Sequence, residues 1–423
     1  MSNERSGFSS RLGFVLATAG SAVGLGNIWR FPYLAAKYGG GTFLLTYLIL
    51  TLTFGFSLMI TEVALGRKAG TSAIRAFGHF SKKHTFIGYL TTIIPFIIFP
   101  YYCVIGGWVT KYALISLQGG IHNAASDTFF TGFISKSAEP MICVLVFLIA
   151  TTVVVAGGVK GGVERVSTIM MPVLIVLLIG VSLFCITRPG AMAGVAYYLK
   201  PSLKGFGPTT ILAALGQLFY SMSLAMGIMI TFGSYMPKKA DLEKSVTQVE
   251  IFDTGVAFLA GLMIVPAVFV FSNGDSSMLA KGPSLMFVML PKVFNSMAFS
   301  SVIAAVFFIL VLLAALTSSI SLLETLVAVL MDKFHMKRGT ACITMFIIAL
   351  LLAVPSSLGF GAWSNITILG FDFLDFFDFI SNSVLMPIAA FLTCLFVGYI
   401  IKPKVIVDEV ESSGEFKRKS LFL

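Results

Sequence analysis

Ten apolar runs of membrane-crossing length recur along this chain, at about residues 12–37, 41–66, 86–118, 138–157, 163–187, 208–235, 243–272, 299–331, 339–358 and 376–401. A crossing helix needs about 20 predominantly apolar residues. Unpaired backbone groups are costly in hydrocarbon, so such runs must close their hydrogen bonds internally, as helices do. The chain is therefore predicted to be an all-α membrane protein. Its charged fraction agrees: 11% of residues, against about 25% in an ordinary soluble domain.

Charge placement sets the orientation. With the N-terminus inside, 20 of the 29 Lys and Arg residues fall on the cytoplasmic side, including Arg67, Lys68, Arg75, Lys82 and Lys83. Six fall outside: Lys136, Arg188, Lys200, Lys204, Lys281 and Lys292. That asymmetry obeys the positive-inside rule, so the net charge of +10 is read as orientation and not as nucleic-acid binding. The expectation is a multi-pass protein of the cell membrane with both termini cytoplasmic. Its parts are an N-terminal segment 1–11, a core 12–401 and a tail 402–423. The polar start has no small-residue cleavage site, so no cleaved signal is expected. Five cysteines without CxxC spacing and four unpaired histidines suggest neither a disulfide framework nor a metal centre. GxSxG, HExxH and paired intramembrane aspartates are absent, and no enzyme is expected.

Within span 1, the stretch Ala17–Pro32 places Gly20, Gly24 and Gly26 at mid-membrane, followed by Asn27 and Arg30. Glycine weakens a helix, and opened backbone at that depth is tolerated only where it lines a cavity or is buried in protein. The stretch reads as a binding site; a close-packed helix interface of small residues is the competing reading. Span 6 has a matching interruption at Ser221, Ser223 and Gly227. Two interrupted spans, each opening a set of five, point to an inverted repeat (12–187 and 208–401) with its site at the midplane. Freed N–H groups favour an anionic group and freed carbonyls a small cation, which suits a carboxylate beside Na+.

Further polar groups lie in the spans. Glu62 needs a partner, either opened backbone N–H groups or the membrane interface. Tyr101 and Tyr102 sit mid-span, and each buried hydroxyl should find a partner. Glu250 and Asp253 lie on span 7; a bound Na+ would account for a buried Asp, and a cap at the cytoplasmic end is the alternative. Thr317, Ser318 and Ser319 offer uncharged oxygens of the kind hard cations take. Asp332 at the inner end of span 8 is placed to meet a basic N-terminal residue. Asp372, Asp375 and Asp378 lie near the outer mouth, within reach of Arg30. The outer segment at about 272–298 is expected to fold as a lid.

GSAVGLGNIWRFPY, GGGTF, TEVALGR, GQLFYSMSLAMG and LTSSIS together resemble the bacterial neurotransmitter:sodium symporter (NSS) family, which has the leucine-transporter (LeuT) fold, over about residues 5–401. The resemblance implies two sodium sites and no organic cofactor. The first would use the Ala22 carbonyl, Asn27, Ser221, Asp253 and the substrate carboxylate. The second would use the carbonyls of Gly20, Val23 and Ala314 with the hydroxyls of Thr317 and Ser318. It also implies that N–H groups near Leu25 and Gly26, with the Tyr102 hydroxyl, hold the substrate carboxylate. The amine would meet carbonyls of the opened turns, including Ser223. Ile98, Tyr220, Met226, Ser319 and Leu322 would form the side-chain pocket. An outer gate would pair Arg30 with Asp378 under Tyr102 and Tyr220, and an inner gate Arg5 with Asp332 near Tyr235.

Three departures sharpen that expectation. Gly24 stands where monoamine carriers place an aspartate, so the substrate is read as an amino acid with a free carboxylate. Asp253 occupies a sodium-site position that is Asn in many members, and its fixed charge predicts chloride independence. Ala225 stands where most members have Gly, and its methyl is expected to narrow the pocket or stiffen the opened turn. Members usually have eleven or twelve spans and this chain shows ten with a complete five-plus-five core, so a C-terminal span is expected to be missing from this chain. The reading is a Na+-coupled importer of a neutral, hydrophobic or aromatic amino acid working by alternating access. Its rival is a membrane-embedded amino-acid sensor without turnover.

Overall fold

The computed structural model describes residues 7–202, 206–272 and 284–423. Eight continuous helices among the described residues are long and apolar enough to cross a membrane: Gly41–Ala69, Lys82–Leu117, Ala138–Ala156, Val159–Ile186, Leu242–Phe271, Ser300–Phe334, Arg338–Leu358 and Phe373–Ile401. Span 1 is a bent pair, Arg11–Ala22 and Gly26–Lys37, whose halves meet at 51°. Span 6 is a second pair, Pro208–Ser221 and Ile228–Tyr235. The fold is thus all-helical with about ten crossings, and the broken ones open the two halves of a five-plus-five inverted repeat. Leu45, Ile49, Val176, Ile347 and Leu351 are exposed on outward faces, as a lipid-facing surface requires.

The breaks arise differently in the two spans. Span 1 leaves helical geometry at Val23, where ψ is 96°, and the Asn27 side chain accepts from Gly24 N–H at 3.1 Å. Gly24 and Gly26 have no left-handed φ. They are needed for close approach: a Cβ on Gly26 would lie 2.7 Å from the Tyr220 ring, and one on Gly24 would collide with Ser318 Oγ. Span 6 turns through left-handed Ser223, Ala225 and Gly227, at φ 53°, 62° and 72°.

Packing sets these breaks in the middle of the protein. The inner half of span 1 packs on spans 5, 7 and 8, the inner half of span 6 on span 2, and span 3 on spans 4 and 8. Of the expected outer lid, residues 273–283 lie outside the described residues; beyond them Leu285–Asn295 forms an apolar helix with Phe287, Leu290 and Phe294 buried. The C-terminal segment differs from a polar tail. It forms helix Lys404–Glu411 and a docked turn, because Ile406, Val407 and Val410 share a helix face and are buried, as is Phe416.

Candidate functional site

Two oxygen-rich clusters flank a cavity between the broken spans. In the first, Asn27 Nδ2 donates to Ser221 Oγ at 2.9 Å and to Asp253 Oδ1 at 2.7 Å. Ser221 Oγ donates to the same Oδ1 at 2.8 Å, and the Tyr47 hydroxyl donates to Asp253 Oδ2 at 3.0 Å. All four side chains are buried. Asp253 faces the breaks and not the N-terminal end of span 7, so the end-cap reading of this residue is set aside. Tyr47, the one tyrosine of span 2, escaped the sequence reading, since an apolar span gives no signal for whether its tyrosine turns inward.

The second cluster gathers hydroxyls and freed carbonyls. Thr317 Oγ1 lies 3.0 Å from Ala314 O and 3.5 Å from Val23 O. Ser318 Oγ lies 3.5 Å from both Gly20 O and Val23 O. Five uncharged oxygens so arranged are a donor set that can hold Na+. Ser319 departs from its expected place: it turns away from the cavity to Thr151, Oγ to Oγ1 at 2.9 Å, because adjacent helical residues point about 100° apart.

The cavity between the clusters is lined by Ala22, Leu25, Gly26, Ile98, Tyr102, Tyr220, Ser221, Ser223, Met226, Ser318 and Leu322, all expected. Ser21, Gly24 and Ile228 join them. The Tyr102 hydroxyl is buried and makes no hydrogen bond among the described residues, so a donor is free to meet a ligand oxygen. Ala225 does not line the cavity. Its N–H donates to Glu62 Oε1 at 2.9 Å, which makes Glu62 the partner of opened backbone and not an interface anchor. The methyl therefore does not narrow the pocket.

Above the cavity is a vestibule walled by Trp29, Arg30, Tyr33, Trp108, Phe287, Phe360, Asp375 and Asp378. Arg30 and Asp378 face it without forming the expected ion pair. The Arg30 guanidinium lies 5.0 Å from the Tyr220 ring centroid. Asp378 Oδ1 accepts from Asn382 Nδ2 at 2.6 Å and Tyr101 OH at 3.2 Å, which supply locally what the arginine would have supplied. Asp372 caps the first turn of span 10 through Asp375 N–H at 2.9 Å and does not reach Arg30. On the inner side, Arg5 lies outside the described residues. Asp332 accepts from Ser72 N–H at 2.7 Å. Tyr235 donates to the buried Glu324 at 2.8 Å, and Arg338 pairs with Glu324 at 2.6 Å. Glu324 and Arg338 were missed, although a glutamate inside LLETL is itself a signal. Glu250 is held at 2.8 Å by Arg418 of the C-terminal segment.

Broken helices meeting at mid-depth around a cavity, with a carboxylate cluster on one side and a carbonyl–hydroxyl cluster on the other, define a secondary transporter of the LeuT fold. Comparison with known proteins gives the family. The sequence model of the sodium:neurotransmitter symporter family matches residues 5–131 and 130–423, and the chain belongs to that family. The uncharacterized sodium-dependent transporter YhdH of Bacillus subtilis (strain 168) is 36% identical over 412 residues, covering 96% of this chain and 90% of YhdH. The human sodium- and chloride-dependent GABA transporter 2 is 27% identical over 380 residues, covering 78% of this chain and 62% of that protein. The crystal structure of MhsT in complex with L-phenylalanine superposes with a TM-score of 0.91 at 38% identity, covering 99% of this chain and 96% of that one. The protein is therefore a multi-pass membrane protein of a sodium-coupled transporter family.

Proposed function

We propose that this protein imports a neutral, hydrophobic or aromatic L-amino acid together with Na+ and without chloride, by alternating access. The observation that carries the reading is the cavity itself. Ile98, Met226, Ile228 and Leu322 offer an apolar surface, while the breaks and Tyr102 offer polar groups for the α-carboxylate and amine. Among the described residues no acidic side chain lines it, and Gly24 leaves no room for one, which favours a zwitterion over an amine without a carboxylate. The phenylalanine held by MhsT supports the same class of substrate.

Two sodium ions are assigned, one to each oxygen cluster. Ala22, Asn27, Ser221 and Asp253 hold the first with the substrate carboxylate; Gly20, Val23, Ala314, Thr317 and Ser318 hold the second. Because the carboxylate is itself a ligand of the first ion, each raises the other's affinity reciprocally. Asp253 supplies a fixed negative charge with three donors already directed at it, so a mobile anion has no vacancy to fill. The repeats are assigned to 12–187 and 208–401, with both termini on the cytoplasmic side. Arg30 and Asp378 close the outer side, and Arg5 and Asp332 the inner.

Uptake of labelled amino acids into proteoliposomes tests this, with Na+ against choline and chloride against gluconate outside. Concentrative, Na+-dependent uptake of Phe, Leu, Met, Tyr or Trp that ignores chloride is expected. Na+-dependent binding without accumulation would make the protein a sensor, and uptake indifferent to Na+ would overturn the reading.

A further inference from the structure

Ser21 is absent from both oxygen clusters, yet it touches the pocket and the second cluster at once. Span 1 breaks at Val23, two residues on, so the Ser21 carbonyl is free to accept outside the helix ladder. Two hydroxyls take that carbonyl: Ser223 Oγ of the span 6 turn at 3.0 Å and Ser318 Oγ of span 8 at 3.0 Å. The Ser21 hydroxyl in turn donates to Ser223 Oγ at 3.1 Å. All three serines line the cavity and all are buried.

The distances decide where the Ser318 proton goes. Ser21 O at 3.0 Å is nearer than Gly20 O or Val23 O at 3.5 Å. A hydroxyl has one proton and two lone pairs. With the proton spent on Ser21 O, both lone pairs are free for a cation between Gly20, Val23 and Thr317. Ser223, whose left-handed φ of 53° fixes it in the turn that forms the pocket wall, holds the Ser21 carbonyl from the other side.

We propose that Ser21 is a positioning residue that couples the amino-acid pocket to the second sodium site, through the Ser223–Ser21–Ser318 hydrogen-bond chain. The inference rests on the sodium-symport reading above. A substrate that settles against the span 6 turn fixes Ser223, Ser223 fixes the Ser21 carbonyl, and the carbonyl sets Ser318 as a lone-pair ligand. Coupling of this kind is reciprocal: Na+ at the second cluster orders the pocket by the same chain.

The test uses the full chain in detergent and reads half-saturating Na+ from Na+-dependent thermal stabilisation, with and without saturating L-phenylalanine. Wild type, Ser21→Ala, Ser223→Ala and the double variant are compared, with Ser318→Ala as the loss reference. Each single change is expected to raise half-saturating Na+ by about three- to tenfold, the range for one hydrogen bond. Because the hydroxyls act as one chain, the double variant is expected to be no worse than the weaker single one. The proposal is overturned if half-saturating Na+ stays at the wild-type value in both singles, or if the two effects multiply. Ser21→Ala keeps the backbone carbonyl and a good helix former, so one variant remains readable should Ser223→Ala fail to fold. A wild-type protein that no Na+ concentration stabilises would reject the symport reading itself, which separates the two failures.

Discussion

Three donors converge on the Asp253 carboxylate inside the membrane: Asn27 Nδ2, Ser221 Oγ and the Tyr47 hydroxyl. Each is buried, so removing the acceptor leaves donors that cost about 1–3 kcal/mol apiece. Asp253→Ala is therefore expected to reduce Na+-driven uptake by at least about tenfold in gluconate. It also opens an anion-sized gap ringed by donors, so chloride should restore part of the activity. Uptake assays in the two anions check this; wild-type rates in gluconate would refute the fixed-charge argument. Ala225 presents a different residue-scale problem. It sits at φ 62°, where an L side chain is disfavoured by about 1–2 kcal/mol, and its methyl does not line the cavity. Ala225→Gly should keep the order of amino-acid preference. Ala225→Val should lower the melting temperature, since a β-branched side chain fits that conformation poorly.

At the scale of elements, span 2 and the inner half of span 6 touch backbone to backbone. A Cβ on Gly66 would collide with the Ile230 carbonyl, and one on Gly233 with the Val63 carbonyl. Small residues are what permit such approach in membranes. Gly66→Ala gains about 0.5–1 kcal/mol in helix propensity but forces a backbone to move, at about 1–3 kcal/mol, so destabilisation wins. Among the described residues nothing lies within 4 Å of a Cβ added at Gly180, so Gly180→Ala should be neutral or mildly stabilising in the same thermal assay. The spans and both breaks were legible beforehand because hydropathy and the Gly and Ser interruptions are local properties of the chain. Side-chain direction was less legible. Three consecutive hydroxyls look equivalent in sequence, yet Thr317 and Ser318 reach the carbonyl cluster while Ser319 reaches Thr151. Arg30 and Asp378 face one vestibule but do not form the pair expected from sequence, because Asn382 from the next turn and Tyr101 from span 3 both reach Asp378.

Across the whole molecule, the segment after span 10 fastens to parts of the chain far from it. Arg67, at the C-terminal end of span 2, has a fully buried side chain. Its Nε donates to Glu409 Oε1 at 2.8 Å, and its Nη1 donates to Ala240 O and Ser413 Oγ at 2.9 Å each. Nη2 donates to Glu409 O. Glu243 of span 7 accepts from the N–H groups of Lys417 and Arg418, at 2.6 and 2.9 Å, and the Arg418 guanidinium lies 3.3 Å from the Phe56 ring centroid. Sequence presented Arg67 as one more cytoplasmic positive charge; burial makes it the centre of a clasp joining span 2, the loop after span 6 and the C-terminal helix. Breaking a buried ion pair by removing one partner costs about 3–5 kcal/mol. Glu409 keeps 10% exposure and has Lys238 at 3.5 Å as a second cation, so a smaller loss, about 2–3 kcal/mol, is expected for Glu409→Gln. Replacing both partners by apolar residues removes the stranded charge along with the pair. Arg67→Met combined with Glu409→Leu should therefore unfold at a higher temperature than either single variant. Thermal unfolding of the four proteins in one detergent decides it, and losses that simply add would mean that the guanidinium and the carboxylate are held independently and that no clasp exists.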